Sequence, residues 1–241
     1  MNLLPYLTAG WPSPEGFLAA TRGVRAAGCT ALEVGIPFTD PVADGPVVQA
    51  TSQAALEAGI DWRRSLELMS RIQGLDLIPM TYTNLLWHQG LDKACQQLVQ
   101  VGSKGLILPD LPLEESQPVE EACVRHGLDL IYLAAPTTPT ERMAKLARRT
   151  RRFLYLVSLR GVTGVRDELP AELADLIARA KAVATTPVYV GFGISTPAQA
   201  AWVAERADGV IVGSALLRHM QGIPEERLEE EVRLFLSRLT A

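Results

Sequence analysis

Short, almost continuously apolar segments that alternate with amphipathic ones are the feature that most constrains how this chain can fold. Eight apolar segments occur, at residues 3–9, 31–38, 77–82, 105–110, 130–136, 153–158, 187–193 and 209–215. They do not alternate between polar and apolar residues, which indicates strands buried on both faces, as in a parallel sheet.

The segments between these strands show apolar residues at spacings of three and four, which is typical of amphipathic helices. They are residues 14–27, 47–58, 62–72, 91–101, 117–126, 139–149, 171–182, 197–206 and 228–239. A strand–helix unit repeated eight times over 241 residues predicts an α/β fold of the (β/α)8 barrel type, since a doubly wound sheet normally has about five or six strands. We expect a single domain at 1–241, with its chemistry at the carboxyl ends of the strands.

Charge and residue spacing exclude several classes of protein. The chain has 27 acidic and 23 basic residues and no basic tract longer than Arg148 to Arg152, so we expect no nucleic-acid partner. No stretch approaches the roughly 18 apolar residues of a membrane helix, and the N-terminus lacks a secretion-signal pattern, so a soluble, cytoplasmic protein is expected. The cysteine and histidine spacings predict neither a disulfide framework nor a transition-metal site.

Glycines gather after the last three predicted strands, at 161–164, 191–193 and 213. Glycine lets a ligand approach the backbone closely, and successive N–H groups beside a helix N-terminus bind anions. Tight turns also use glycine, but three such loops lie where barrels commonly build a phosphate site. Together they predict phosphate binding.

Glu33 interrupts the second apolar segment. Strand alternation places Leu32 and Val34 on the helix-facing side and Glu33 toward the barrel interior. A structural ion pair is one interpretation, but no Lys or Arg occurs in the eight strand cores to neutralise it. The other interpretation is a carboxyl group whose pKa is raised by burial, which suits a group that gives and takes protons near neutral pH.

The loop after this strand carries Asp40 and Asp44. Glu33 in the wall and Asp44 on the loop above it form a pair of carboxyl groups in unlike environments, a recurring acid/base arrangement. Magnesium binding by the three acidic residues and glycosidase chemistry are alternatives, although a glycosidase would leave the three phosphate-type loops unexplained.

Large apolar and aromatic side chains lie near the same predicted mouth of the barrel. Strand alternation lets most of them face inward, where they would either enclose a flat apolar substrate group or form ordinary core packing. They are Tyr6, Met80, Tyr82, Ile107, Leu133, Tyr155 and Phe192. The residues alone leave both interpretations open.

Several motifs together resemble those of the tryptophan synthase alpha chain family. They are ALEVGIPFTDPVADGP at 31–46, PDLPLEES at 109–116, VTG at 162–164, VGFGIS at 190–195 and VGSA at 212–215. The resemblance implies a TIM-barrel lyase of tryptophan biosynthesis. Its reaction would be the retro-aldol cleavage of indole-3-glycerol phosphate to indole and D-glyceraldehyde 3-phosphate.

The same resemblance implies roles for individual residues. Glu33 matches the general acid/base, Asp44 the carboxylate that helps the indole N–H lose its proton, and Tyr155 an aromatic residue that holds the glutamate and the substrate. The phosphate-binding positions are Gly164, Gly191, Phe192, Gly193, Gly213 and Ser214. The indole-binding positions are Tyr6, Met80, Tyr82, Ile107 and Leu133, with Thr163 in the loop that family members close over the substrate.

A partner is also implied, the tryptophan synthase beta chain, in an α2β2 heterotetramer. Pro37, Asp40 and Asn84 match positions near that partner. No cofactor is expected in this chain, because pyridoxal phosphate belongs to the beta chain. Family members usually carry an extra N-terminal helix that covers the barrel floor, whereas the first strand here is predicted to begin at about residue 3, so we expect a barrel that lacks this helix.

The chemistry of the residues supports carbon–carbon cleavage independently of the family resemblance. Such cleavage needs an electron sink, which is a lysine imine, a metal or the substrate itself. None of the four lysines falls at a predicted strand end and no histidine cluster is present to hold a metal, so the substrate must supply the sink, which an indole ring can do once it is protonated at carbon 3.

Three alternatives remain open. A sugar-phosphate isomerase or epimerase would leave the apolar mouth unused. A non-catalytic binding barrel would not need Glu33 and Asp44. A free-standing indole-releasing lyase would share the chemistry but work without the beta chain.

Overall fold

Parallel strands form the centre of the molecule. The structure is a computed structural model that describes residues 1–157, 171–191 and 193–240. Within these ranges it contains nine strands: β1 (Asn2–Thr8), β2 (Ala31–Gly35), β3 (Asp76–Met80), β4 (Gly105–Ile107), β5 (Asp129–Ile131), β6 (Leu133–Ala134), β7 (Leu154–Val157), β8 (Val188–Gly191) and β9 (Gly209–Val212).

The strands follow the order β5-β4-β3-β2-β1-β9-β8-β7-β6, and all of their pairings are parallel. β5 and β6 lie at the two ends of this order, yet only Tyr132 separates them along the chain. The Tyr132 N–H donates to Oγ1 of Thr150 at 3.1 Å instead of to a strand, while its carbonyl accepts the Tyr155 N–H at 3.0 Å. The segment 129–134 therefore closes the cylinder as one interrupted barrel strand, and the predicted (β/α)8 barrel is confirmed.

Eleven helices surround the strands within the described ranges. They are α1 (Pro14–Ala26), α2 (Pro46–Glu57), α3 (Trp62–Ser70), α4 (Thr83–Gln89), α5 (Leu91–Gln100), α6 (Gln117–His126), α7 (Thr140–Arg149), α8 (Ala171–Val183), α9 (Pro197–Ala204), α10 (Ser214–Met220) and α11 (Leu228–Thr240). Nine of them match helices predicted from the apolar spacing. α4 and α10 were not predicted, because each has only seven residues and begins directly after a strand or its loop.

Capping side chains fix where several helices begin. The Oγ of Ser13 accepts the Gly16 N–H at 2.9 Å at the start of α1. Thr196 and Gln199 form a reciprocal capping box at the start of α9. α1 and α9 each begin six residues after the end of the preceding strand.

The residues of each strand divide between two environments. In β2, Leu32 and Val34 are fully buried beneath the helices, whereas Glu33 and Gly35 lie on the other face, toward the barrel interior. Parallel strands present their carboxyl ends at the same edge, so the loops after β2, β3, β8 and β9 meet at one mouth.

Candidate active site

Glu33 lies in the wall of the barrel with an almost fully buried carboxyl group. It is the middle residue of β2, and its register partners are Tyr6 on β1 and Ile78 on β3. Only 1% of Glu33 is exposed, and no group in the described ranges hydrogen-bonds its Oε2. Among the described residues, the charged group that acts on it is the Asp44 carboxylate. Since a structural role for a buried carboxylate depends on a paired cation, the ion-pair interpretation finds no support in the described residues.

The two carboxyl groups of the mouth differ in protonation. Burial, and after it the negative charge of Asp44, raises the pKa of Glu33 to about 8. Burial also raises the pKa of Asp44 to about 6, although a hydrogen bond from Tyr82 acts in the opposite direction. At neutral pH, Glu33 therefore holds its proton while Asp44 is mainly ionised. This division suits Glu33 to donate a proton and Asp44 to stabilise positive charge.

Asp44 belongs to the loop between β2 and α2, which contains two tight turns. The Val42 N–H donates to the carbonyl of Asp40 at 2.8 Å, and the Asp44 N–H donates to the carbonyl of Pro41 at 3.0 Å. α2 begins at Pro46, whose lack of an N–H costs nothing at the first position of a helix. Asp44 is thus held two residues before the helix.

Tyr82 holds the Asp44 loop from the end of the neighbouring strand. Its Oη accepts the Ala43 N–H at 3.0 Å and donates a hydrogen bond to the Asp44 carboxylate. Its ring stacks on Phe38 with a centroid separation of 5.0 Å and an interplanar angle of 19°. Ser52 of α2 completes the arrangement, because its Oγ accepts the Phe38 N–H at 3.1 Å. The sequence predicts a pocket-lining role for Tyr82 but does not reveal these contacts, since neither spacing nor periodicity relates residue 82 to the Asp44 loop.

Two tyrosine rings lie against glycines of adjacent strands. A Cβ on Gly35 of β2 would lie 1.9 Å from Oη of Tyr6, and a Cβ on Gly191 of β8 would lie 2.7 Å from Cε2 of Tyr155. Each ring thus fills the space that the glycine leaves open. After burial, the charge of Glu33 makes the largest contribution to raising the pKa of Tyr155, so this phenol lies near the buried carboxyl group.

Met80, Ile107 and Leu133 occupy matched positions around the barrel. Met80 pairs with Gly35 and with Ile107, and Leu133 pairs with Tyr155. Ile107 is fully buried and Met80 nearly so, whereas Leu133 is half-buried. The register places Met80 and Ile107 beside Gly35, and Leu133 beside Tyr155, so each of the three apolar side chains lies next to one of the tyrosine–glycine contacts.

Four of the predicted phosphate-binding residues lie in the described ranges. Gly191 ends β8, and Gly193 has a φ of 69°, in the left-handed region that favours glycine. Gly213 precedes α10, whose first residue is Ser214. The two loops meet at one edge because β8 and β9 are neighbours. Three further predicted site residues lie outside the described ranges: Gly164, Phe192 and Thr163.

The residues predicted to lie near a partner differ in exposure. Asp40 and Asn84 are exposed, whereas Pro37 is buried and supports the loop from within. Two large apolar side chains on the same segments are also exposed, Val42 at 82% and Trp87 at 51%. The contacts of Tyr82 join the Asp44 loop to the start of α4, so these groups belong to one surface.

Asp110, which follows β4, was not singled out from the sequence. Its carboxylate accepts the Thr83 N–H at 2.9 and 3.1 Å and the Thr83 hydroxyl at 2.9 Å. It therefore caps the start of α4 from the neighbouring loop and supports the segment that carries Tyr82 and Asn84. Its place directly after an apolar strand, within PDLPLEES, is the signal that points to it.

Within the described ranges, no three Asp, Glu, His or Cys side chains are grouped as ligands of a metal ion. Glu33, Asp40 and Asp44 are therefore not grouped in this way. Of the helices that the structure describes, none is long and apolar enough to cross a membrane.

Comparison with known sequences gives a consistent match along the chain. The family model of the tryptophan synthase alpha chain matches residues 1–238. The tryptophan synthase alpha chain of Picosynechococcus sp. is 44% identical over 231 residues, which cover 94% of this chain and 88% of that protein. The corresponding protein of Chloroflexus aurantiacus is 45% identical over 228 residues, which cover 93% of this chain and 86% of that protein.

Solved structures agree with the sequence comparison. Tryptophan synthase subunit alpha from Legionella pneumophila has a TM-score of 0.90 and 38% identity, covering 99% of this chain and 90% of that one. A chain of the tryptophan synthase complex from Pyrococcus furiosus has a TM-score of 0.90 and 32% identity, covering 99% of this chain and 97% of that one. Together with the family model, these matches confirm the resemblance seen in the motifs: this chain belongs to the tryptophan synthase alpha chain family.

Proposed function

We propose that Glu33 and Asp44 carry out the reaction of this lyase family, the cleavage of indole-3-glycerol phosphate to indole and glyceraldehyde 3-phosphate. The supporting observation is the pair of carboxyl groups at one mouth. Glu33 is buried, has an oxygen with no hydrogen-bond partner among the described residues, and has a pKa of about 8 beside Asp44, whose pKa is about 6.

The first step protonates the indole ring. Glu33 enters protonated and donates its proton to carbon 3 of the ring, which leaves positive charge on the ring nitrogen. The Asp44 carboxylate accepts a hydrogen bond from the ring N–H and stabilises that charge. A proton transfer from a positioned side chain typically contributes roughly 10²- to 10⁴-fold to the rate.

The second step breaks the carbon–carbon bond. Glu33, now a carboxylate, takes the proton of the hydroxyl on the side-chain carbon bonded to the ring. The electrons of that O–H bond form the aldehyde carbonyl, while those of the carbon–carbon bond return to the ring and neutralise the nitrogen. Glu33 is again protonated, so the cycle consumes no external acid or base.

The remaining site residues bind the substrate in this proposal. Met80, Ile107 and Leu133 form the apolar wall against which the indole ring packs, and Tyr155 lies beside it. The loops at Gly193 and Gly213 take the phosphate group, with Gly191 and Ser214 next to them. Their backbone N–H groups suit an anion at the carboxyl edge of a barrel.

A beta chain is the partner that we assign to the surface formed by the Asp44 loop and α4. Asp40 and Asn84 are exposed there, and the exposed apolar side chains of Val42 and Trp87 are typical of a docking surface. The relative from Pyrococcus furiosus was solved as a tryptophan synthase complex. We expect an α2β2 heterotetramer in which pyridoxal phosphate is bound by the beta chain and no cofactor by this one.

We further propose that 1–241 is a single domain that works in the cytoplasm. The closed barrel supports the first statement. The second is supported by the cysteines, since Cys29, Cys95 and Cys123 are all free thiols, as is usual in a reducing compartment.

Incubation of the purified chain with indole-3-glycerol phosphate, with and without added beta chain, tests the proposed function. We expect indole and glyceraldehyde 3-phosphate in equal amounts in both cases, with a higher rate in the complex. If neither condition releases indole while the chain interconverts sugar phosphates, the isomerase alternative replaces this one.

A further inference from the structure

Tyr6 brings a hydroxyl group to the position directly above Glu33. Tyr6 and Glu33 are register partners on β1 and β2, and Glu33 and Gly35 lie on the same face of β2. The Oη of Tyr6 occupies the place that a side chain on Gly35 would take, only 1.9 Å from the position of its Cβ. The phenol therefore lies one side-chain position closer to the mouth than the Glu33 carboxyl group, on the route by which a substrate reaches it.

Hydrogen bonding leaves the proton of this hydroxyl free to be donated. The Thr8 hydroxyl donates to Oη of Tyr6 at 3.4 Å, and Thr8 in turn lies 2.7 Å from Oγ1 of Thr51 on α2. Tyr6 is thus an acceptor from Thr8, which is the register partner of Gly35, and none of the described residues accepts the proton of the phenol itself. Among the described residues, the Oε2 of Glu33 also has no hydrogen-bond partner. A buried tyrosine normally finds a partner for its O–H, so a ligand that fits between these two groups is expected.

Neighbouring charges keep the phenol in its donor form. Burial, the charge of Asp44 and the charge of Glu33 all raise the pKa of Tyr6 well above its usual value, against the hydrogen bond from Thr8. Tyr6 therefore remains protonated at every pH at which Glu33 and Asp44 titrate. It can donate a hydrogen bond but cannot act as a base.

The geometry points to Tyr6 as a further catalytic residue, whose hydroxyl donates a hydrogen bond to the substrate oxygen from which Glu33 removes the proton. In the cleavage step the proton of that substrate hydroxyl passes to Glu33 Oε2, and its O–H electrons form the carbonyl as the carbon–carbon bond breaks. Negative charge develops on the oxygen during this transfer, and Tyr6 stabilises it while keeping its own proton. This inference rests on the proposed function, because it concerns the same reaction.

Tyr6→Phe tests the inference, since the change removes the hydroxyl and keeps the ring. We expect kcat to fall by roughly 10- to 100-fold with KM nearly unchanged, because the hydrogen bond strengthens only as charge develops. Tyr189→Phe is the matched control. Tyr189 stacks on Phe153 and pairs with the first residue of β9, at the opposite end of the barrel. It should retain the wild-type kcat and KM.

Variants of Thr8 provide a second measurement. Thr8→Val removes the donor that orients the phenol and should lower kcat by a smaller factor than Tyr6→Phe, whereas Thr8→Ser keeps a hydroxyl and should restore most of the rate. In the Tyr6→Phe background, Thr8→Val should have no further effect on kcat. Thermal melting of each variant shows whether the fold is retained.

Two results for Tyr6→Phe would overturn the proposed role of the hydroxyl group. A Tyr6→Phe enzyme that is folded and matches Tyr189→Phe in kcat overturns the role of the hydroxyl, and so does a rise in KM alone, which is the signature of a residue that only lines the pocket. If the wild-type chain releases no indole, the proposed function fails first and this inference with it.

Discussion

The Asp44 carboxylate helps to hold the proton on Glu33. Its negative charge adds to burial in raising the pKa of Glu33 to about 8, while Asp44 itself has a pKa of about 6. At neutral pH the two groups therefore carry one proton and one negative charge between them. The two apparent pKa values describe the pair, because each group titrates in the field of the other.

The pH dependence of kcat/KM should be bell-shaped. The rate rises as Asp44 ionises, near pH 6, and falls as Glu33 loses its proton, near pH 8. Indole release measured from pH 5 to 9 on the alpha chain alone tests this. A rate that keeps rising above pH 8 would contradict the assignment of Glu33 as the group that enters protonated.

Asp44→Asn should change both limbs of that profile. The acid limb disappears with the carboxyl group, and the alkaline limb moves to lower pH, because the charge that raises the pKa of Glu33 is gone. The rate should also fall by about 10²-fold or more, as the ring nitrogen loses its stabilising charge. Glu57→Gln, an exposed change on α2, is the control. If the alkaline limb of Asp44→Asn stays in place, the two carboxyl groups are not coupled.

Tyr82→Phe should move only the acid limb, and to higher pH. The hydrogen bond from Tyr82 lowers the pKa of Asp44. Without it, burial raises that pKa further. The Ala43 N–H also loses the acceptor that it contacts at 3.0 Å, so kcat should fall because the loop is less well held. The pH profile is the readout, and an acid limb that moves to lower pH would refute the hydrogen bond.

Glu33→Gln should stabilise the protein at alkaline pH. The folded pKa of Glu33 is raised from 4.5 to about 8, so the unfolded chain releases this proton over a range in which the folded chain keeps it. Relative to Glu33→Gln, the wild type therefore loses stability as pH rises from about 4.5 to about 8, and the difference is constant above that range. Urea unfolding at pH 5 and pH 8.5 should show a difference of several kcal/mol only at the higher pH. Equal stability at both values would mean that burial of Glu33 costs little.

Gly191→Ala and Gly213→Ala should affect different kinetic constants. A Cβ at position 191 would lie 2.7 Å from the ring of Tyr155, so Tyr155 must shift and kcat should fall by about tenfold. A Cβ at position 213 would lie 3.3 Å from the Cβ of Tyr6 and 3.6 Å from two of its ring atoms, which is close to ordinary van der Waals contact, so the change should act mainly on phosphate binding through a raised KM. Steady-state kinetics separate the two effects. A raised KM with unchanged kcat in Gly191→Ala would instead favour the phosphate role predicted for that residue.

Most of the fold follows from residue periodicity. Buried parallel strands need no polar alternation, and the eight apolar runs therefore mark the barrel strands to within a few residues. The runs extend past the carboxyl ends of several strands, however: the run 209–215 continues into α10, and the run 187–193 passes the end of β8 at Gly191. Hydrophobicity does not distinguish the last residues of a strand from the buried turn that follows.

Glu33 could be predicted because a carboxyl group within an apolar strand is anomalous. Asp44 is an ordinary residue for a turn and could be predicted only because it lies in the loop directly after that strand, within a motif that resembles the family's. The contacts that Tyr6, Thr8 and Tyr82 make could not be predicted from the sequence. Their partners lie 27 to 43 residues away in sequence, on the neighbouring strand, on α2 or in the Asp44 loop, and only the folded barrel brings them together. Gly191 was predicted only as a phosphate-binding residue, because the sequence does not show that the ring of Tyr155 lies against it.

The most direct test of the central claim is a comparison of binding and turnover in Glu33→Gln. The change keeps the shape of the side chain and removes its ability to exchange a proton. We predict that calorimetry gives a Kd for indole-3-glycerol phosphate close to that of the wild type, while single-turnover release of indole falls by at least about 10²-fold. A Glu33→Gln enzyme that binds the substrate and releases indole at the wild-type rate would show that another group transfers the protons.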